Sequence, residues 1–425
     1  MIHYITPTGI ASAWVANELN VVKERGIPVM LHSLRPSRQQ FFVSKWAKQL
    51  DDETNVIYAA SPITMAISVL MAPFLFRGKF VQGLANALFG ARESFRNRVA
   101  ALFHFFVACH WARDLRKKPV SHIHSQWIHS GGTVGMYGAW LLGVSFSFTG
   151  HAADLFRERV ALTDKVRRAA FIVCISHFHR QFYKELGARD EQLHLVYCGI
   201  DLSLFVAKRL VRQSDQPVVI LSSGRLVEKK GFAVLLDACR ILADRGVKFR
   251  CVIGGDGPLA EVLRERNEGL GLISQVTITG KPLTQEELPG FMHGGHIYAL
   301  PCVWAADGDV DGLPQMLMEA MACGLPAVST RLVGIPDLIE NECSGLVVES
   351  GSAPQLAAAL ERLILDETLA GRLAEEGCRV VRERFEIHLA LRPLIELFRQ
   401  RLVGPDGLRE PQPAINQPLA NGGIS

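Results

Sequence analysis

Val218-Val-Ile-Leu-Ser-Ser-Gly224-Arg225-Leu-Val-Glu-Lys-Lys230-Gly231 is the stretch that decides the fold. Its apolar, β-branched start predicts a strand over Val218–Ser222; Gly224 supplies a turn and Gly231 opens a helix over 231–245. A second strand follows at Arg250–Ile253. Strand, glycine turn, helix, strand is the grammar of a parallel sheet with crossover helices. The alternation runs on through Val276–Ile278, Ile297–Leu300, a helix over 314–323 and Ala327–Ser329.

The same grammar is met at the other end of the chain. Ile2–Ile5 reads as a strand, Thr6-Pro-Thr-Gly9 as a turn, and the next segment as a helix with Trp14, Val15, Leu19 and Val22 on one face. Strands are expected at Ile27–Leu34, around Ile123, and at Ser145–Phe148, Phe171–Ile175 and Leu193–Tyr197. The fold class is therefore α/β, two doubly wound halves, and 425 residues suffice for two cores. We place an N-terminal domain at 1–206 and a C-terminal domain at 207–385. A helix at 386–402 follows, with a disordered Pro-rich tail at 403–425.

Composition excludes several classes. An apolar fraction of 48% and a charged fraction of 21% argue against a disordered or coiled-coil chain. Nine scattered cysteines, an odd number without a C-x-x-C pair, fit buried thiols in a reducing cytoplasm. No signal peptide is read at the N-terminus. The apolar run Ser61–Phe76 holds Pro62 and Pro73 and is shorter than the roughly 20 residues of a membrane span. The net charge of +4 conceals an asymmetry: residues 1–200 carry 23 Lys and Arg against 13 Asp and Glu, whereas the rest carry 23 against 29.

The chemistry concentrates at carboxyl ends of predicted strands, where open α/β sheets bind ligands. Arg225 and Lys230 flank one such end and suit a diphosphate. Asp311-Gly312-Leu313-Pro314 leads into a helix carrying Glu319, with Pro314 expected in its first turn. Eight positions separate the two acids, about 12 Å along the helix axis. One carboxylate would then accept from a sugar hydroxyl and the other from a ribose hydroxyl. Taken singly, Asp311 is equally well a turn residue and Glu319 a solvated helix position. Asp307-Gly-Asp309-Val-Asp311-Gly312 imitates an EF-hand opening, but position 12 is Met318 and no calcium site is expected.

Gly-Arg-Leu-Val-Glu-Lys-Lys-Gly (224–231), Gly254-Gly-Asp-Gly-Pro258, the acid-x7-acid pair 311/319 with Glu-Ala-Met-Ala-Cys-Gly-Leu-Pro (319–326), and Gly334-Ile-Pro-Asp-Leu-Ile339 occur together here. With them the chain resembles the retaining glycosyltransferases of family 4, to about residue 402. The resemblance implies the GT-B fold, two Rossmann-like domains facing a cleft with a C-terminal helix crossing back to the first. It implies transfer of a sugar from a nucleotide diphosphate-sugar to a glycan or lipid-linked glycan, in polysaccharide biosynthesis and without metal or other cofactor. It further implies that Arg225 and Lys230 hold the diphosphate, Glu319 the ribose and Asp311 the donor sugar. Gly224, Gly312, Leu313 and Lys281 would complete the donor site, with Gly280-Lys281 meeting the base. Asp311 departs from the family's commoner Glu. A sugar-nucleotide epimerase on the same fold and a non-catalytic scaffold of a glycan-assembly complex are the alternatives.

In the first half, Phe148-Thr-Gly-His151 ends a strand, and the resemblance implies that His151 sits beside the donor sugar; Asp154 is read as a helix cap. Gly9 would let a phosphate approach the backbone. His122-Ile-His124 is expected to place its two rings on opposite faces, without a shared metal, and His177 and His179 are read as structural. Residues 61–118 form a helical insert with nine basic and two acidic residues among many phenylalanines. It is open whether the aromatics contact a membrane surface or pack as core. No nucleic-acid motif accompanies the charge.

Overall fold

The computed structural model describes residues 1–10, 13–37, 45–152, 159–208, 210, 212 and 216–402. Two parallel sheets organise the chain. The first has strands β1 (Ile2–Thr6), β2 (Val29–Ser33), β3 (Asn55–Val56), β4 (His122–Gln126), β5 (Ser145–Gly150), β6 (Phe171–Cys174) and β7 (Leu193–Leu195). Their order is β3-β2-β1-β4-β5-β6-β7. The second has β8 (Val218–Ser223), β9 (Phe249–Gly254), β10 (Val276–Ile278), β11 (Ile297–Leu300), β12 (Ala327–Thr330) and β13 (Leu346–Val348), in the order β10-β9-β8-β11-β12-β13. Each order reverses once, at β1/β4 and at β8/β11. Loops leaving the two central strands diverge there and open a crevice at the carboxyl edge.

Every expected strand is present. The two extra ones, β3 and β13, are edge strands of two and three residues; such pieces are too short for a period-2 pattern to register. The helix 314–323 is shorter than expected. It spans Gln315–Ala322 with Pro314 as an extended N-cap, so Asp311 lies in the preceding loop and the helix-rise spacing does not apply to the two acids.

His122 and His124 correct another expectation. Both rings approach Ser147 Oγ, at 2.6 and 2.7 Å, and both lie against Phe171 and Phe398. Residues two apart on a strand share a face. Serine and threonine hydroxyls of β5 occupy their nitrogens, and burial pushes the His124 pKa down to about 3.

Phe398 belongs to the C-terminal helix Arg392–Leu402, which follows a turn of helix at Ile387–Ala390. Leu391, Leu394, Ile395 and Phe398 are buried with Ile2, Tyr4, Phe171 and Val173 of the first sheet. The chain returns where it left: Ile200 N–H donates to Phe385 O at 2.9 Å and Ile387 N–H to Ile200 O at 3.0 Å. A Cβ on Gly199 would lie 2.5 Å from Ile387 Cα, so the two crossing segments require glycine there.

Residues 61–118 fold as three mutually packed helices, Pro62–Phe76, Gly78–Phe89 and Phe95–Leu115. Ser61 and Ser94 cap the first and third, accepting from Thr64 N–H and Asn97 N–H. The first two meet at a 120° bend. The aromatic residues divide between two roles. Phe76, Phe80 and Phe105 are buried, while Phe74, Phe89, Phe95 and Phe103 point outward at 55–83% exposure. No single described helix is long and apolar enough to cross a membrane.

Candidate functional site

The crevice at β8/β11 is built on glycine. Gly224, with φ 145°, passes so close to Gly255 that a Cβ on the latter would sit 1.9 Å from the Gly224 carbonyl. Gly231 has φ 71°, and a Cβ there would lie 1.8 Å from Pro301 O. These contacts press the loop after β8 onto the loops after β9 and β11, with Val303 N–H donating to Lys229 O at 2.9 Å. The short helical turn Glu228–Lys230 thereby aims both lysines at Asp311.

Lys230 Nζ lies 2.7 Å from Asp311 Oδ2, and Lys229 Nζ lies 3.4 Å from Asp311 Oδ1 and 3.1 Å from Asp309 Oδ2. Burial works against the charge on Asp311, but the two ammonium groups outweigh it and hold the carboxyl below its ordinary range. Burial likewise disfavours the Lys230 ammonium; the Asp311 carboxylate outweighs it and raises the pKa. Two of the acids that imitate a calcium loop, Asp309 and Asp311, therefore face lysines. Among the described residues no group of three or more His, Cys, Asp or Glu is arranged to hold a metal ion.

Glu319, on the helix Gln315–Ala322, is 3% exposed. Gln285 Nε2 donates to its Oε1 at 3.3 Å, and its Oε2 is buried with no hydrogen-bond partner among the described residues. Burial raises its pKa to about 7. A buried carboxylate oxygen left open is poised to accept from a ligand hydroxyl. Arg225 is exposed beside Gly224, and no carboxylate pairs with it among the described residues. Lys281 is also exposed; its backbone bridges Gly255, and both N–H groups approach Thr279 Oγ1.

Gly312 joins this site to the first sheet. A Cβ there would meet Ile175, His179 and Ala152 at 3.1–3.5 Å, and Gly312 O accepts from Gly334 N–H at 2.8 Å. Leu313 beside it is buried. Ala152 directly follows His151, and Gly312 directly follows Asp311, so the two residues adjoin one interdomain contact. His151 packs against Trp14 and Trp127, ring centroids 4.6 and 5.5 Å away. Burial, with smaller contributions from His179, His129 and His124, pushes its pKa down to about 3, and the imidazole is neutral near pH 7.

Gly9 lies in the loop after β1. Its N–H donates to Ser33 Oγ, and a Cβ on it would meet Ser37 and Asp51, so its left-handed turn fits the loop to its own neighbours. Asp154 lies outside the described residues. His179 is tied to Ser176, and His177 reaches across the cleft: its Nδ1 is 2.9 Å from Asp337 Oδ2, and its N–H donates to the same oxygen at 2.8 Å. Sequence reasoning missed the Trp14–Trp127–His151 cluster, Lys229, Gln285 and the His177–Asp337 contact. Asp337 carried a signal in Gly334-Ile-Pro-Asp, and Lys229 in the 224–231 motif.

Residues 207–380 match the family described as Glycosyl transferases group 1, and residues 86–204 match Glycosyltransferase Family 4. Each half of the chain thus matches a glycosyltransferase family. It is 35% identical over 257 residues to the amylovoran biosynthesis glycosyltransferase AmsK of Erwinia amylovora, covering 59% of this chain and 62% of that one. To the putative colanic acid biosynthesis glycosyltransferase WcaL of Escherichia coli K12 it is 38% identical over 205 residues, covering 47% and 50%. The match thus spans about half to three-fifths of these relatives' length. Among solved structures, a glycosyltransferase from Rickettsia africae aligns with TM-score 0.68 at 17% identity over 94% of this chain and 98% of that one. HepE of Anabaena, solved with UDP, aligns with TM-score 0.67 at 15% identity over 94% and 99%. The fold of this chain is GT-B.

Proposed function

We propose that this glycosyltransferase moves a hexose from a nucleotide diphosphate-sugar to a glycan or lipid-linked glycan in polysaccharide assembly, with retention of configuration and without a metal ion. The observation that carries the reading is the convergence of Lys230, Asp311 and the half-satisfied Glu319 at the β8/β11 switch point. A resemblance to polysaccharide-biosynthesis relatives supports the substrate class.

In this reading the ribose hydroxyls donate to the open oxygen of Glu319, and the base lies along the backbone at Lys281. The diphosphate takes Arg225 and the protons of Lys230 that Asp311 does not use. Asp311, fixed by two lysines, accepts from a donor-sugar hydroxyl, with the backbone of Gly312 and Leu313 alongside. His151 contributes a neutral hydrogen-bonding ring near the reacting bond. The acceptor oxygen forms its bond to the anomeric carbon on the face from which the diphosphate departs, and the leaving phosphate takes the acceptor's proton. Fixed cations stabilise the charge gathering on the leaving group without reorganising. The outward aromatic and basic residues of 61–118 support peripheral contact with the cytoplasmic face of a membrane, where a lipid-linked acceptor resides.

The test is sugar transfer from a panel of nucleotide-sugars, with donor binding read by thermal shift. Arg225→Ala and Glu319→Ala are expected to abolish transfer with the fold intact, and chelator to leave the wild type active. Full activity in both variants overturns the donor-site assignment.

A further inference from the structure

Where the helices Pro62–Phe76 and Gly78–Phe89 meet, their ends line an open pocket of about 250 Å³. Leu75, Phe76, Leu141 and Leu142 give it apolar walls, and Arg77, Lys79 and Arg116 supply three cations. All three are exposed, and no carboxylate pairs with any of them among the described residues. Arg77 is held at φ 48° and ψ −124°, a left-handed conformation unusual for a residue with a side chain. Such outliers persist where surrounding structure enforces them, often at ligand sites.

Three other basic residues of this segment behave differently. Arg92 is buried in an ion pair with Asp164 at 2.8 Å. Arg98 donates to the carbonyls of Leu88 and Gly90, and Arg113 to Ser68 Oγ. Those three are held by hydrogen bonds or an ion pair, whereas among the described residues the one partner of the cavity three is the Phe76 ring, 6.0 Å from the Arg116 guanidinium.

Apolar stripes accompany the cavity. Ile63, Leu70 and Phe74 are 72–82% exposed along the first helix, Val81 and Phe89 are 64% and 83% exposed on the second, and Phe95 is 81% exposed at the start of the third. Apolar stripes beside unpaired cations match the two layers of a bilayer surface, acyl chains below and phosphates above. A soluble protein partner has no need of that layering.

We propose that the elbow cavity binds the phosphate of an anionic membrane phospholipid, with Arg77, Lys79 and Arg116 around the phosphate and the outward aromatic residues among the acyl chains. This site rests on the membrane-contact reading of residues 61–118 and adds to it a specific headgroup pocket. The competing account of the same cations is that they only offset the carboxyl ends of helices 62–76, 95–115 and 130–142.

The experiment is co-sedimentation of the full chain with phosphatidylcholine vesicles, with and without phosphatidylglycerol. Wild type should bind the anionic vesicles only. Lys117→Gln with Lys118→Gln removes two charges outside the cavity and should weaken binding about 30-fold, from about fivefold per charge near an anionic surface. Arg77→Gln with Arg116→Gln removes two inside it and should weaken binding at least tenfold further. Leu142→Trp fills the cavity without changing charge and should also weaken binding about tenfold; unfolding midpoints near wild type would show that each variant folds. Equal losses in the two double variants, with Leu142→Trp unchanged, overturn the pocket while leaving membrane contact standing. Failure of wild type to bind anionic vesicles overturns both. Binding that requires a polyprenyl phosphate added to neutral vesicles, in place of phosphatidylglycerol, overturns the assignment to bulk phospholipid.

Discussion

Lys230 and Asp311, 81 residues apart in the chain, form a buried ion pair of 2.7 Å at the point where the second sheet reverses its strand order. Neither is free for a ligand without the other. Removing one partner of a buried pair leaves a desolvated charge and costs about 3–5 kcal/mol. Because Lys229 is also 3.4 Å from Asp311, Lys230→Ala should fall at the low end, near 3 kcal/mol in denaturant unfolding, and abolish donor binding.

The pair also has a pH signature. The Asp311 pKa is lowered in the folded state, so its contribution is present above the ordinary carboxyl range and lost as pH falls through the folded value. Lys230 is raised, so its contribution is present at neutral pH and lost only as pH rises through its folded value, above 10.5. The Lys230→Ala destabilisation should therefore be flat between pH 5 and 9 and shrink outside that window.

Glu319 titrates in the opposite sense. Burial raises it to about 7, and ligand hydroxyls need the ionised form. Donor affinity should fall as pH drops below 7, approaching tenfold per pH unit, since binding then requires release of a proton. Isothermal titration in two buffers of different ionisation heat reads that proton. Glu319→Gln should bind weakly at every pH and lose the slope.

Gly231→Ala tests the backbone under the lysines. The added methyl would collide with the Pro301 carbonyl in a left-handed conformation. The loop must move, taking Lys229 and Lys230 with it. Stability should drop by about 2 kcal/mol or more, with donor binding lost. Gly246, also left-handed but with open space around it, is the control: Gly246→Ala should cost about 1 kcal/mol and leave binding unchanged.

Asp337 ties the two halves together through His177. The contact is exposed on the histidine side, so Asp337→Ala should change stability by less than about 1 kcal/mol. Small-angle scattering should nonetheless show a larger radius of gyration, because one of the ties across the cleft is gone.

The strand order along the chain was legible because it rests on local signals. Alternation of apolar runs with glycine turns marked every strand except two very short edges, and the glycines at 224 and 231 sat where the backbone needs them. Arg225, Lys230, Asp311 and Glu319 were legible as a set through their motifs. Their pairing was not. The acids were read as two open acceptors, whereas each oxygen of Asp311 already faces a lysine and one oxygen of Glu319 is taken by Gln285. The His122 and His124 faces were misjudged although the strand period alone decides them.

The sequence by itself determined two doubly wound halves, the places of the turns and the residues gathered at the carboxyl edge, because period and turn chemistry act over a few neighbouring residues. Tertiary structure alone decided which of those residues neutralise each other, how deeply Glu319 is desolvated, and which phenylalanines and arginines of 61–118 are spent in the core. Charge and burial depend on groups brought together from some 80 residues away, and the three unpaired cations at the helix elbow exist as a cluster only once three helix ends have met.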